Sequence, residues 1–265
     1  MHDDPFAQFK VVQREGWASF SPWAVFTTAP AARLVEYAGV RDSVDVLDVA
    51  CGTGVVAITA ARRGVRVCGV DLSPALIEDA KRSAAVIGTS IDFVEGDVEA
   101  LPYPDSTFDI VLSQFGHMFA PRPEAAVREM LRVLRPGGRV AFSTWPPEVF
   151  VGRMFSLVAK YLPLPSGVAP PQSWGDPNIV RERLGDSVVD LEFDRDEFSI
   201  PALSPQHYRS NAERTIAPVA KIVANLATES AQLAGFRKEY DALTQTWFSC
   251  NQVRQSYLLT RATKK

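Results

Sequence analysis

At 265 residues the chain is long enough for one large folded unit with an appendage and too short for two full-size domains. A hydrophobic share of 46% and a charged share of 22% exclude a largely disordered chain. The balance of 28 Lys and Arg against 31 Asp and Glu gives no broad positive field, so neither nucleic acid nor an anionic membrane is the expected partner.

The start, Met1-His2-Asp3-Asp4-Pro5, has no basic stretch leading into an apolar core, and no later apolar run is long enough to cross a bilayer. A cytoplasmic location is expected, as a monomer or homodimer. Residues 1–40 carry Phe6, Phe9, Trp17, Phe20, Trp23 and Phe26, the pattern of an N-terminal helical flap that packs on the core and closes over a substrate. Residues 41–147 alternate β-branched runs with helical patterns, which is how βαβ units on a parallel sheet read. The first strand, 44–49, passes through Ala50-Cys51-Gly52-Thr53-Gly54 into an Ala-rich helix, 55–63, stopped by Gly64. A second strand, 65–70, ends at Asp71, where Ser73 and Pro74 are an N-cap and first-turn proline for a helix ending near Gly88. Strands at 91–94 and 108–112 follow, leading into Gly96-Asp97 and into Ser113-Gln114-Phe115-Gly116-His117. A helix at 124–134 then stops at the turn Arg135-Pro136-Gly137-Gly138 before a fifth strand, 139–144.

Beyond Trp145, six prolines (Pro146, Pro147, Pro163, Pro165, Pro170 and Pro171) flank a helical segment at 152–162, so residues 148–186 read as a lid or insertion. Residues 187–200 read as a strand pair or one long bent strand, 205–227 and 230–249 as two helices, and 255–261 as a closing strand. Residues 187–265 would then complete the sheet and add a helical cover. The expected fold is α/β: a doubly wound, Rossmann-like, mostly parallel sheet of seven strands with a helical, proline-rich substrate cover. The three cysteines are too dispersed for a disulfide framework or a metal-ligand spacing, so free thiols and no metal are expected.

Gly52-x-Gly54-x-x-Ala57, with Asp71 about twenty residues from the loop, fits a dinucleotide fingerprint and equally the loop that holds S-adenosylmethionine (SAM). Asp48, just before that loop, separates them. A carboxylate there would repel a pyrophosphate, whereas SAM presents an ammonium and a sulfonium.

Four motifs in register carry a resemblance. Val46-Leu47-Asp48-Val49-Ala50-Cys51-Gly52-Thr53-Gly54 resembles the first motif of class I SAM-dependent methyltransferases, and Asp71-Leu72 resembles their ribose-holding acidic strand end. Gly96-Asp97-Val98-Glu99-Ala100-Leu101-Pro102 resembles the segment that touches the adenine, and Arg135-Pro136-Gly137-Gly138-Arg139 the turn before strand five. The likeness covers residues 44–145 and is strongest to small-molecule bacterial enzymes related to quinone biosynthesis. It implies SAM as cofactor, a small-molecule acceptor, and cofactor contacts at Asp48, Ala50, Gly52, Thr53, Gly54, Asp71, Leu72, Asp97, Val98 and Ser113. The mixture of Phe150, Phe155, Tyr161, Trp174 and His207 points to an apolar or aromatic acceptor. Cys51 reads as a small neighbour of the cofactor rather than a nucleophile.

Two further residues are candidates on physical grounds. His117, just beyond strand four on the ligand-binding edge of a doubly wound sheet, has an ordinary pKa of ~6.5 suited to a general base. Trp17 offers an aromatic face to a sulfonium. An NAD(P)-dependent oxidoreductase and a non-catalytic SAM-binding protein are the competing readings.

Overall fold

The computed structural model describes residues 4–226 and 231–265. The five β-branched runs form parallel strands β1 (Asp45–Val49), β2 (Arg66–Asp71), β3 (Asp92–Glu95), β4 (Phe108–Gln114) and β5 (Leu134–Thr144). Three more strands follow: β6 (Val188–Pro201), the two-residue β7 (Phe248–Ser249) and β8 (Gln252–Lys264). The sheet runs β3-β2-β1-β4-β5-β8-β6, with β7 paired to β8, and β8 is antiparallel to both β5 and β6. This is the expected doubly wound sheet: seven strands in sequence across it, plus the short β7.

The order sets where a ligand goes. From β1 the chain winds outward to β2 and β3, then returns to place β4 on the other flank of β1. The crossovers therefore diverge between the C-terminal ends of β1 and β4, leaving a crevice there. Val46, Leu47 and Val49 of β1 are buried, as a central parallel strand covered on both faces requires. Asp48, equally buried, is the exception.

Helices α3 (Val55–Ala61), α4 (Pro74–Val86) and α5 (Pro123–Val133) connect the parallel strands. At the N-terminus, α1 (Ala7–Gly16), a 3-10 segment at Trp17–Thr27 and α2 (Thr28–Tyr37) wrap the core. After β5 come α6 (Phe150–Tyr161) and α7 (Pro177–Leu184), and between β6 and β7 come α8 (Pro205–Thr215), α9 (Ala217–Asn225) and α10 (Ala231–Trp247).

Several boundaries differ from the sequence expectation. β5 begins at Leu134, so the residues expected as a turn, Arg135 to Gly138, lie inside the strand, where its register against β4 shifts between Phe108 and Ile110. The helix expected at 205–227 is two helices, parted at the extended residue Ile216. Pro218 has no N–H to give and is tolerated only in a first turn, so the helix restarts there. The ends of the expected helices at 227 and 230 lie outside the described residues. The second of them stops at Trp247, because Cys250 (φ 48°) and Asn251 (φ 59°) make a two-residue hairpin turn joining Ser249 to Gln252. Of the two forms expected for residues 187–200, a strand pair or one long bent strand, the structure has the single strand, whose register slips between Val189 and Glu192, with Asp190 at φ 52°. Among the described residues, no helix is long and apolar enough to cross a membrane.

Candidate active site

A cavity of about 240 Å³ opens at the C-terminal ends of β1, β2, β3 and β4. Its floor is the glycine loop. Gly54 has φ 80°, and a Cβ there would stand 2.9 Å from the Phe93 ring and 3.1 Å from Ala80, so only glycine lets the chain turn tightly into α3.

Asp48 and Asp71 are built into this floor. One Asp48 oxygen accepts the Ala57 N–H at 2.9 Å, while Oδ1 is buried without a partner. Burial raises the Asp48 pKa well above the usual carboxylate range; the Ala57 N–H opposes this and the Asp71 charge adds to it. Asp71 accepts the Gly52 and Ser73 N–H groups, both at 2.8 Å, and bridges the glycine loop to the cap of α4. Burial raises its pKa too, against those two bonds. The Cys51 thiol is pushed up by burial and by both carboxylates, which leaves it unreactive.

Beyond β3, Asp97 accepts the Glu99 N–H at 2.9 Å through Oδ1 and meets Lys10 Nζ at 2.7 Å through Oδ2. The same ammonium lies 2.7 Å from Asp4 and 2.6 Å from Glu99. Three carboxylates from two chain segments thus converge on a cation that the protein itself supplies. Burial works against the Lys10 charge, but Asp4, Asp97 and Glu99 outweigh it and raise the pKa. Arg122 closes the network, donating to Glu99 and Asp4. α1 is also tied down by Gln13, whose Nε2 donates to Phe119 O at 3.1 Å, and by Trp17, whose ring centre is 4.7 Å from that of Phe119.

On the other flank the lining changes character. Trp23, Phe26, Phe115, Trp145, Phe155 and Phe198 line the cavity, with Val151, Met154 and Ile200. Its polar members here are Thr27, Gln114, Tyr208 and Gln255; Gln255 Nε2 donates to the Tyr208 hydroxyl at 3.5 Å. The charged side chains in the lining, Lys10, Asp48, Asp71 and Asp97, all come from α1 and from the β1, β2 and β3 side.

Of the residues expected to bind cofactor, Asp48, Ala50, Gly52, Thr53, Asp71, Leu72, Asp97, Val98 and Trp17 line this one cavity. Gly54 and Ser113 stand behind it. Gly54 caps α3, and the Ser113 hydroxyl donates to Val49 O at 2.7 Å and accepts the His117 N–H, holding β4 against β1. The expectation of a catalytic His117 is corrected. Its ring is fully buried outside the lining, against Phe142 and Trp174 at 4.7 and 4.6 Å between centres, and neither nitrogen has a hydrogen-bond partner. Burial and the Arg183 charge lower its pKa to about 3, so it is a neutral core residue out of reach of any acceptor. A short 3-10 turn at His117–Phe119 swings the ring inward, a rotation no motif spacing encodes. Lys10 and Gln114 were missed. Lys10 sits on an amphipathic helix remote in sequence from the motifs, and Gln114 gave no signal beyond adjoining a strand end.

The fit to SAM can be judged from the residues present. An unpaired buried carboxylate oxygen beside a tight glycine loop suits an ammonium and would repel a pyrophosphate. A second carboxylate at the end of β2, Asp71, is placed for ribose hydroxyls. Fold and site together define a nucleoside-cofactor-binding α/β protein whose chemistry favours a cationic cofactor.

Comparison with known proteins agrees. Residues 47–142 match the family model described as a methyltransferase domain. An uncharacterized protein of Mycobacterium tuberculosis is 33% identical over 234 residues, covering 88% of this chain and 85% of the relative. The demethylmenaquinone methyltransferase of Thermus thermophilus is 38% identical over 117 residues, which is 43% of this chain and 53% of that enzyme. Among solved structures, the YcgJ protein of Bacillus subtilis superposes with a TM-score of 0.60 at 22% identity, over 89% of this chain and 97% of that one, which shows a shared fold. Residues 47–142 thus form a methyltransferase domain, and SAM is the cofactor that its site fits.

Proposed function

We propose that the chain transfers the methyl group of SAM to a small, uncharged, apolar or aromatic acceptor. One observation carries this reading: a cavity joins the glycine loop and its carboxylates to an aromatic-lined chamber in which, among the described residues, no charged side chain comes from the acceptor flank. SAM, when bound, supplies an electrophilic methyl carbon on a sulfonium. The protein's part is to hold and align. Asp48 and Asp71 receive the cofactor's ammonium and ribose, Asp97 and Val98 meet its adenine, and Trp17 offers an aromatic face. The chamber walls exclude water and orient the acceptor, a contribution worth up to ~7–11 kcal/mol in favourable cases. With no histidine or carboxylate among the described residues of the acceptor flank, the nucleophile brings its own reactivity. Residues 1–40 and 148–186 act as flap and lid around the chamber.

The test is to incubate purified protein with methyl-labelled SAM and a cell extract, then partition the products. Label in the organic, small-molecule fraction supports the reading; label confined to protein or nucleic acid overturns it. Parallel calorimetric titration with SAM, S-adenosylhomocysteine and NAD(H) checks the cofactor, and a preference for NAD(H) would return the oxidoreductase reading.

A further inference from the structure

Gln114 is one of the polar groups of the acceptor flank that the machinery above leaves unused. It ends β4 and lines the cavity. Its Nε2 donates to Thr27 O at 2.9 Å. Only the nitrogen of an amide can donate to a carbonyl, so this bond fixes which end remains, and that end, Oε1, is buried with no partner. A buried acceptor left unpaired is costly, and a ligand that pairs it recovers that cost.

The surroundings hold Gln114 in place. The next residue, Phe115, has φ 60°, a left-handed conformation that bulky side chains rarely adopt. It keeps the Phe115 ring stacked on Trp145 at 4.0 Å and 12°. Gly116 lies so close to the glycine loop that a Cβ would come 2.5 Å from that of Ala50. The amide is therefore pinned on one side by Thr27 and its backbone on the other by the loop. Tyr208 and Gln255, by contrast, are bonded to each other.

We propose, resting on the aromatic-acceptor reading above, that Gln114 determines acceptor specificity: Oε1 accepts an O–H or N–H from a planar, uncharged acceptor packed on the Phe115 and Trp145 pair. Acceptors of the same shape without that donor bind the same chamber more weakly.

The test is calorimetric titration of the full chain, saturated with S-adenosylhomocysteine, with three probes of one shape: 2-naphthol, 2-methoxynaphthalene and naphthalene. The wild type should bind 2-naphthol about tenfold more tightly than the other two, the size of one added hydrogen bond to a buried group. Gln114→Met should bind all three within about threefold of each other, with naphthalene and S-adenosylhomocysteine held as in the wild type. Equal wild-type affinities, a preference retained in Gln114→Met, or uniform weakening of all three probes by that variant overturns the assignment. Binding of none of the probes by the wild type sinks the aromatic-acceptor reading itself. The wild-type comparison stands whatever the variant does, and Gln114→Leu repeats the variant arm if Gln114→Met fails to fold.

Discussion

Asp48 is the residue on which the proposed cofactor site turns. In an otherwise apolar central strand, its carboxyl loses solvation and gains one backbone N–H, so burial lifts its pKa. A group with a raised folded-state pKa contributes stability below its unfolded pKa and loses that contribution as pH rises through the folded pKa, so ionising Asp48 costs the free protein stability. A bound ammonium at Oδ1 removes that cost. SAM binding should therefore release protons, to an extent that grows as pH falls into the range where Asp48 titrates. Calorimetry in two buffers of different ionisation enthalpy measures this. Asp48→Asn should abolish most of the release and weaken SAM binding about 10- to 100-fold, the range of one hydrogen bond to a charged group. Unchanged proton release in that variant would move the assignment to Asp71.

Among elements, α1 does the most with the least sequence signal. Its polar face carries Lys10 and Gln13 to the cavity, and Lys10 gathers Asp4, Asp97 and Glu99 around one ammonium. Lys10→Met leaves Glu99 with Arg122 but strips Asp97 of its cation. A buried pair broken on one side costs several kcal/mol; here the remaining Arg122 and partial solvent access to Asp97 reduce this to about 1–3 kcal/mol. The expected outcome is faster amide exchange across α1 and about tenfold faster dissociation of S-adenosylhomocysteine, measured by exchange mass spectrometry and stopped flow. If exchange is unchanged, packing of Trp17 on Phe119 holds the helix by itself.

At the scale of the whole molecule, His117 ties global stability to pH. Its pKa is about 3 folded, against an ordinary 6.5, so the unfolded chain binds more protons between those values. The stability it permits is complete above pH 6.5 and declines as pH falls toward 3. Between pH 7 and pH 5 this amounts to about 2 kcal/mol. Buried Asp48 and Asp71, with raised pKa values, run the opposite way, so the informative comparison is with His117→Phe. Urea unfolding across this range should show a flatter pH dependence in the variant, with SAM affinity within about threefold of the wild type. An equal pH dependence, or lost SAM binding, would put His117 back in the site.

How much was legible follows the range of the interactions involved. Strands β1 to β5, the helices between them and the glycine loop follow local patterns: β-branched runs, capping residues, and glycines at positive φ where a Cβ would also meet its neighbours, as at Gly54. Asp48 and Asp71 were readable because the turn that follows each places it at the strand ends of a doubly wound sheet. The break before Ala217 and the Cys250-Asn251 hairpin were not read, since a first-turn proline and an unusual αL pair are weak local signals. The sequence by itself thus determined the sheet, its winding and the glycine loop. Only the tertiary structure decided that His117 turns into the core, that Lys10 crosses to Asp97, and that Gln114 keeps a buried oxygen unpaired. Those outcomes depend on side-chain direction and on which distant segments meet, and packing settles both after the local pattern has been spent.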